Sequence, residues 1–373
     1  KVHYPQDFKM PEQGLHIRWP DPVAEQEYRL LHYKKSAALA FVRANNLNQV
    51  TIKSSKSRLG IIASGKSYLD VLQALEELGI RNEQIEEIGL KLLKIAMPWP
   101  LEEKIIRDFA KDLEEILVIE EKRPVMESQI KEQLYNWRAD SRPRVIGKFD
   151  EFGTSLLPST GELIPFQIAR VIAKRIQGLS LSNVVSNHIT NGLSILEKRD
   201  LSSQNNHTSV ERIPYFCSGC PHNTSTKVPS ESRAAAGIGC HYMSIWMDRN
   251  TETFTQMGGE GANWLGQAPF TKTKHIFVNI GDGTYFHSGI LAIRAAVAAN
   301  VNITYKILYN DAVAMTGGQS IDGPLDVPSI TWQVRAEGVN QISVVSEYLN
   351  KYPTNANFAP NVTFHHRDDL DLV

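Results

Sequence analysis

Short apolar runs alternate with longer stretches of helical spacing over residues 59–146. Leu59-Gly60-Ile61-Ile62-Ala63 predicts a buried strand, with Ser64-Gly65-Lys66 as the turn after it. Residues 68–78 place Leu69, Val71, Leu72, Ala74, Leu75 and Leu78 at helical intervals and stop at Gly79. The next strand spans 92–97. A helix from Pro100 to Leu113 follows, with Glu102 and Glu103 suited to its first turn. Residues 116–119 predict a strand, 126–137 a helix and 144–146 a strand. Strands separated by helices of this length build βαβ units, hence a parallel sheet with helices packed on it.

The text on either side differs in character. Residues 1–50 form a leading segment whose Pro-rich, polar start runs into a helix around 24–45. Residues 51–178 make up the first domain. Residues 179–213 include Leu179-Ser180-Leu181-Ser182-Asn183 and Ser202-Ser203-Gln204-Asn205-Asn206, and this polar text reads as a linker. The second domain then covers 214–373. Ser64-Gly65-Lys66 lacks the glycine spacing of a phosphate loop and reads as an ordinary turn. Glu120-Glu121-Lys122-Arg123 is a solvated turn or an interface with a neighbouring domain.

The second domain carries the chemistry. Lys274-His275-Ile276-Phe277-Val278-Asn279-Ile280 is strand-like and ends at Gly281-Asp282-Gly283. A helix over 286–299 and a strand over 303–309 follow, and that strand ends at Asn310. Asp282 and Asn310 therefore fall at the carboxyl ends of two parallel strands, where open α/β sheets bind ligands. Glycines admit a diphosphate close to the backbone, and the following helix start offers unpaired N–H groups. Mg²⁺ takes an octahedral set of oxygens. Asp282, the Asn310 amide oxygen and the Ala312 carbonyl supply such oxygens, with Met315-Thr316-Gly317-Gly318-Gln319 as a turn beside the diphosphate. Met257-Gly258-Gly259-Glu260-Gly261 passes close to a cofactor or simply turns tightly. Gly239, Cys240, His241, Gly258, Gly259, Met315 and Thr316 join the candidate cofactor surface.

Composition narrows the class. At 373 residues the chain exceeds one ordinary core, and 42% hydrophobic with 22% charged residues suits a globular protein. A net charge of −1 gives no reason to expect nucleic acid or an anionic membrane surface as partner. No apolar run reaches the roughly 18 residues of a membrane span, and Lys1-Val2-His3-Tyr4-Pro5 opens no signal peptide. The Asn-x-Ser/Thr matches at Asn206, Asn223, Asn302 and Asn361 read as chance in a cytoplasmic chain. The three cysteines, Cys217, Cys220 and Cys240, cluster in one stretch, which points to a metal or cluster site rather than disulfides. Either a fourth cysteine lies beyond Val373, or His222 completes a Cys₃His zinc site, or no metal is bound.

The chain resembles the 2-oxoacid:ferredoxin oxidoreductases, nearest the large indolepyruvate ferredoxin oxidoreductase type. In the first domain the resemblance rests on Gly14-Leu-His-Ile-Arg-Trp-Pro-Asp21, Gly60-Ile-Ile-Ala-Ser-Gly-Lys-Ser-Tyr-Leu-Asp70, Pro98-Trp-Pro-Leu101, Glu120-Glu-Lys-Arg123 and Gly147-Lys148. In the second it rests on Phe216-Cys-Ser-Gly-Cys-Pro-His-Asn223, Gly237-Ile-Gly-Cys240, Gly281-Asp-Gly283 and Thr316-Gly-Gly-Gln319. The resemblance implies an α/β fold with mainly parallel sheets, a transketolase-C-terminal-like domain preceding a thiamine-diphosphate-binding domain. It implies thiamine diphosphate with Mg²⁺ and a [4Fe-4S] cluster. It further implies oxidative decarboxylation of an aryl 2-oxoacid, with coenzyme A taking the acyl group and ferredoxin the electrons. The activating Glu belongs, in such enzymes, to a pyrimidine-binding domain that this chain does not show. The chain therefore reads as an internal piece that works in an oligomer or with a partner subunit. A non-redox thiamine-dependent 2-oxoacid decarboxylase and a non-catalytic assembly subunit are the competing readings.

Overall fold

In a computed structural model, which describes residues 1–205, 212–321 and 323–373, the chain divides into two units, Lys1–Thr208 and Ser209–Val373. Among the described residues, the first unit holds a five-stranded sheet in the order β1-β3-β2-β4-β5. Its strands are β1 (Gln49–Ile52), β2 (Leu59–Ser64), β3 (Leu90–Ile95), β4 (Glu115–Ile119) and β5 (Arg144–Ile146). All neighbours are parallel except β1, which runs antiparallel to β3. Short strands buried on both faces need continuous apolar text, and β4 is enclosed throughout.

Successive side chains of β2 serve opposite faces. Ile61 packs with Val71, Leu92, Leu117, Ile168 and Ile172, whereas Ile62 packs with Leu93, Ile106, Phe109, Val118 and Ile130. Helices on both sides supply these partners: Gly65–Glu77 and Pro165–Gln177 for the first cluster, Glu103–Ala110 and Val125–Leu134 for the second. The helix predicted from Pro100 begins later because Glu102 caps it, accepting from the Lys104 and Ile105 amides at 3.1 and 2.8 Å. The Ser64-Gly65-Lys66 turn is absent as such, since helix Gly65–Glu77 starts directly at the strand end.

The linker reading of 179–213 is corrected. Helix Asn183–Asn205 occupies most of it, with Val185, Ile189 and Leu196 buried in the core of the first unit. Those positions fall four and seven residues apart, which places them on one helical face. Asn206 and the rest of the stretch to residue 211 lie outside the described residues. The leading segment likewise belongs to the first unit: helices Val23–Arg29 and Lys35–Ala44 are joined by a π-helical turn, and Ala40 and Val42 are buried.

The second unit contains a parallel four-stranded sheet, β7-β6-β8-β9, and a parallel pair. Its strands are β6 (Ala234–Ala236), β7 (Thr251–Phe254), β8 (Ile276–Gly281) and β9 (Ile303–Leu308), with β10 (Ile342–Ser346) and β11 (Val362–His366) forming the pair. Ile280 packs against Tyr285, Ile293, Ile330 and Val334, and Val278 against Ala235 and Trp264. No helix among the described residues is long and apolar enough to cross a membrane.

Candidate functional site

From β6 the chain passes outward to β7 and then crosses to β8 on the other side of β6. Strand order thus reverses between β6 and β8. Ligands of open α/β sheets bind at the carboxyl ends of strands flanking such a reversal. The loops leaving these two strands are 237–241 and 281–283, both glycine-rich.

Asp282 stands where β8 gives way to a helical segment that continues as Ile290–Ala298, and it is 2% exposed. Its Oδ1 accepts from the Gly283 amide at 2.9 Å, and its Oδ2 accepts from the Asn310 and Asp311 amides at 2.9 and 2.6 Å. The carboxylate therefore ties the end of β8 to the end of β9, 28 residues away. Asn310 is exposed, and its Oδ1 accepts from the Ala312 amide at 3.3 Å. Two carboxylate oxygens offer about four lone-pair sites, so three amides leave room for one further bond. Asp282, Asn310 and Ala312 are brought to the same strand ends. Met315 and Thr316 lie in an exposed turn held by Thr316 Oγ1 donating to Gln319 Oε1 at 2.8 Å.

His241 forms the wall between the two loops. It is 3% exposed, and Gly281 is so placed that a Cβ there would lie 3.4 Å from the His241 Cε1. A Cβ on Gly239 would meet Cε1 at 2.6 Å and Nδ1 at 2.9 Å, so the ring leaves room for glycine alone. Burial, helped by nearby His222, pushes His241 down to about 4, and the imidazole is neutral near pH 7. Burial also lowers His222, against the opposing field of Asp282. The 257–261 loop contributes Glu260, which is fully enclosed; burial raises its carboxyl above the usual range despite the Gly258 amide donating to Oε2 at 2.8 Å. Gly258 lies against Ser288, so this loop does approach the helix that follows Asp282. Gly259 instead abuts the Gln256 amide within its own turn.

Cys217 is exposed, and Cys220 and Cys240 are half-buried. The Cys220 amide donates to the Cys217 carbonyl at 3.0 Å, closing the Cys-x-x-Cys turn. Burial pushes the Cys240 thiol up, and Cys220 and Cys217 add to the shift. The three are thus near neighbours, yet among the described residues no group of three or more His, Cys, Asp or Glu side chains is arranged to hold a metal ion.

Sequence reasoning named the loop around Glu260 but not its carboxyl, and it missed Asn279, a fully buried amide inside β8. The available signal was a polar side chain interrupting a strand of β-branched and aromatic residues.

Residues 48–206 match the family described as "Indolepyruvate ferredoxin oxidoreductase middle domain", and residues 237–342 match "Thiamine pyrophosphate enzyme, C-terminal TPP binding domain". The chain is similar to the "Indolepyruvate oxidoreductase subunit IorA" of Methanothermobacter thermautotrophicus, 30% identical over 91% of this chain and 54% of that protein. It is also similar to the protein of the same name from Pyrococcus horikoshii, 28% identical over 78% of this chain and 45% of the relative. The chain spans about half the length of the curated relatives it matches. A solved "2-oxoglutarate:ferredoxin oxidoreductase from Magnetococcus marinus" aligns at 20% identity over 44% of this chain and 66% of that one. The TM-score of that superposition is 0.31. The chain thus carries a segment matching an indolepyruvate ferredoxin oxidoreductase middle domain, followed by one matching a thiamine pyrophosphate enzyme C-terminal domain.

Proposed function

We propose that this chain holds the diphosphate end of thiamine diphosphate in an enzyme that oxidatively decarboxylates an aryl 2-oxoacid of the indolepyruvate kind. The acyl group passes to coenzyme A and the electrons to ferredoxin. The observation that carries the reading is the Asp282 carboxylate, buried at the joined ends of β8 and β9 beside the reversal of strand order.

The residues present fit the diphosphate–metal group. One carboxylate with a free lone pair, one side-chain amide oxygen and a backbone carbonyl are the hard oxygens Mg²⁺ takes alongside phosphate and water. Asp282, Asn310 and Ala312 are the proposed donors. Gly281 and Gly283 admit the diphosphate close to the backbone. Thiamine diphosphate, when bound, supplies the nucleophile for decarboxylation. The protein's own work is positional: Asp282 would anchor the metal, and the His241 ring, held neutral near pH 7 by burial, bounds the crevice. Gly239, Cys240, Gly258, Met315 and Thr316 are proposed to border the cofactor. The pyrimidine-activating Glu is proposed to come from another domain or subunit, which places the working site in a larger cytoplasmic assembly. Cys217, Cys220 and Cys240 do not form a ligating set among the described residues.

Isothermal titration of the chain with thiamine diphosphate in the presence and absence of Mg²⁺ tests the assignment. Metal-dependent binding that Asp282→Ala abolishes is the expected result; unchanged affinity in that variant sinks it.

A further inference from the structure

The second unit encloses polar side-chain atoms without giving them partners. Glu260 and Asn279 are 0% exposed and His241 is 3% exposed. Yet Glu260 Oε1, His241 Nε2 and both amide atoms of Asn279 make no hydrogen bond within the protein. A buried polar atom left unpaired sacrifices its hydration for nothing, which is why such atoms in folded proteins nearly always meet a protein group or an ordered water.

The side chains of His241 and Glu260 meet around Gly237, beside the backbone of Asn279. The point a Cβ on Gly237 would occupy lies 2.6 Å from the Asn279 backbone carbonyl oxygen, 2.8 Å from His241 Nε2 and 3.0 Å from Glu260 Cγ. Strand alternation puts Asn279 on the same face of β8 as Gly281, and the His241 ring lies against that face. The cross-strand neighbour of Asn279 is Lys306, whose ammonium donates instead to the Lys227 carbonyl at 2.7 Å. Charge does not explain the grouping either, because burial disfavours the ionised forms of both Glu260 and His241. A polar pocket with several hydrogen-bonding groups is the kind that holds internal water, whereas apolar voids stay dry.

We propose that Glu260, His241 and Asn279 bind internal water beneath the loops that end β6 and β8, and that this hydrated trio positions the His241 ring against Gly239 and Gly281. Glu260 and Asn279 are then positioning residues, acting on the crevice through His241. The consequence for cofactor affinity rests on the thiamine diphosphate reading above, whereas the water site stands apart from it.

A high-resolution crystal structure of the 373-residue chain tests the site directly. Ordered water within hydrogen-bonding distance of Glu260 Oε1, His241 Nε2 and an Asn279 amide atom is expected; a dry trio overturns the proposal whether or not the cofactor binds. Thiamine diphosphate titration with Mg²⁺, beside thermal melts, tests the positioning role. Asn279→Leu keeps the volume and removes both amide atoms, and affinity should fall about tenfold, as for lost supporting contacts elsewhere. If it melts higher than the parent and binds as tightly, the amide was an unpaired cost and the proposal is wrong. Glu260→Gln retains a hydrogen-bonding end and should bind like the parent, while Glu260→Met should lose the same tenfold. Equal behaviour of Gln and Met at 260 also overturns it. If the parent chain itself fails to bind thiamine diphosphate, it is the functional reading that has failed, and the crystallographic result still decides the water site.

Discussion

Replacing Asp282 by asparagine isolates what the carboxylate contributes to the protein before any ligand arrives. Asp282 accepts three backbone N–H groups, two through Oδ2 and one through Oδ1. An asparagine at this position keeps one acceptor oxygen. Turned to serve the Asn310 and Asp311 amides, it presents its own N–H₂ group to the Gly283 amide, donor against donor. One donor left unpaired in a buried site costs about 1–3 kcal/mol. Taking about 2 kcal/mol, the opening equilibrium that exposes the ends of β8 and β9 should rise roughly thirtyfold, since 1.36 kcal/mol is tenfold. Amide hydrogen exchange read by mass spectrometry on peptides covering 276–284 and 303–313 measures that locally, without assuming that both units unfold together. The expected outcome is a protection loss of that size in these peptides and none over 59–64. Wild-type protection in the Asp282→Asn variant would refute the view that this carboxylate joins the two strands.

Other consequences are open to simpler measurements. His241 titrates at about 4 rather than its ordinary 6.5, so its contribution to stability is complete above 6.5 and is lost as pH falls toward 4. That difference amounts to up to about 3 kcal/mol, and urea unfolding of the second unit should weaken by this order between those pH values but not in His241→Phe. Gly89 ends a helix at φ +75°, and a Cβ there would strike the Lys56 carbonyl. Gly89→Ala should therefore cost about 2–3 kcal/mol, read as a lower melting temperature with the first unit unfolding earlier; an unchanged melt contradicts the geometry. Iodoacetamide at neutral pH should modify the exposed Cys217 well before Cys240, whose thiol burial has raised; peptide mapping that finds the reverse order would show the cysteine stretch folded otherwise.

Local pattern alone marked β2 to β5, β8 and β9 and the helices after β2, β3, β4 and β8, because the period of apolar residues reports which backbone geometry can bury them; the short strands β1, β6 and β7 carry too few residues to show a period. The pattern also placed Asp282 where a strand gives way to a helix, as the structure has it. Helix Asn183–Asn205 escaped because polar residues fill most of its surface, and the three apolar positions that bury it gain meaning only against the first unit's core. What tertiary structure decided was convergence. Strand order put the turn after β6 beside the turn after β8, although about forty residues separate them in the chain. That crossover brings His241, Glu260 and the backbone of Asn279 around Gly237, and enclosure leaves Glu260 Oε1, His241 Nε2 and the Asn279 amide atoms without partners. A sequence records that such residues are polar; whether water, protein or ligand meets them depends on which strands become neighbours.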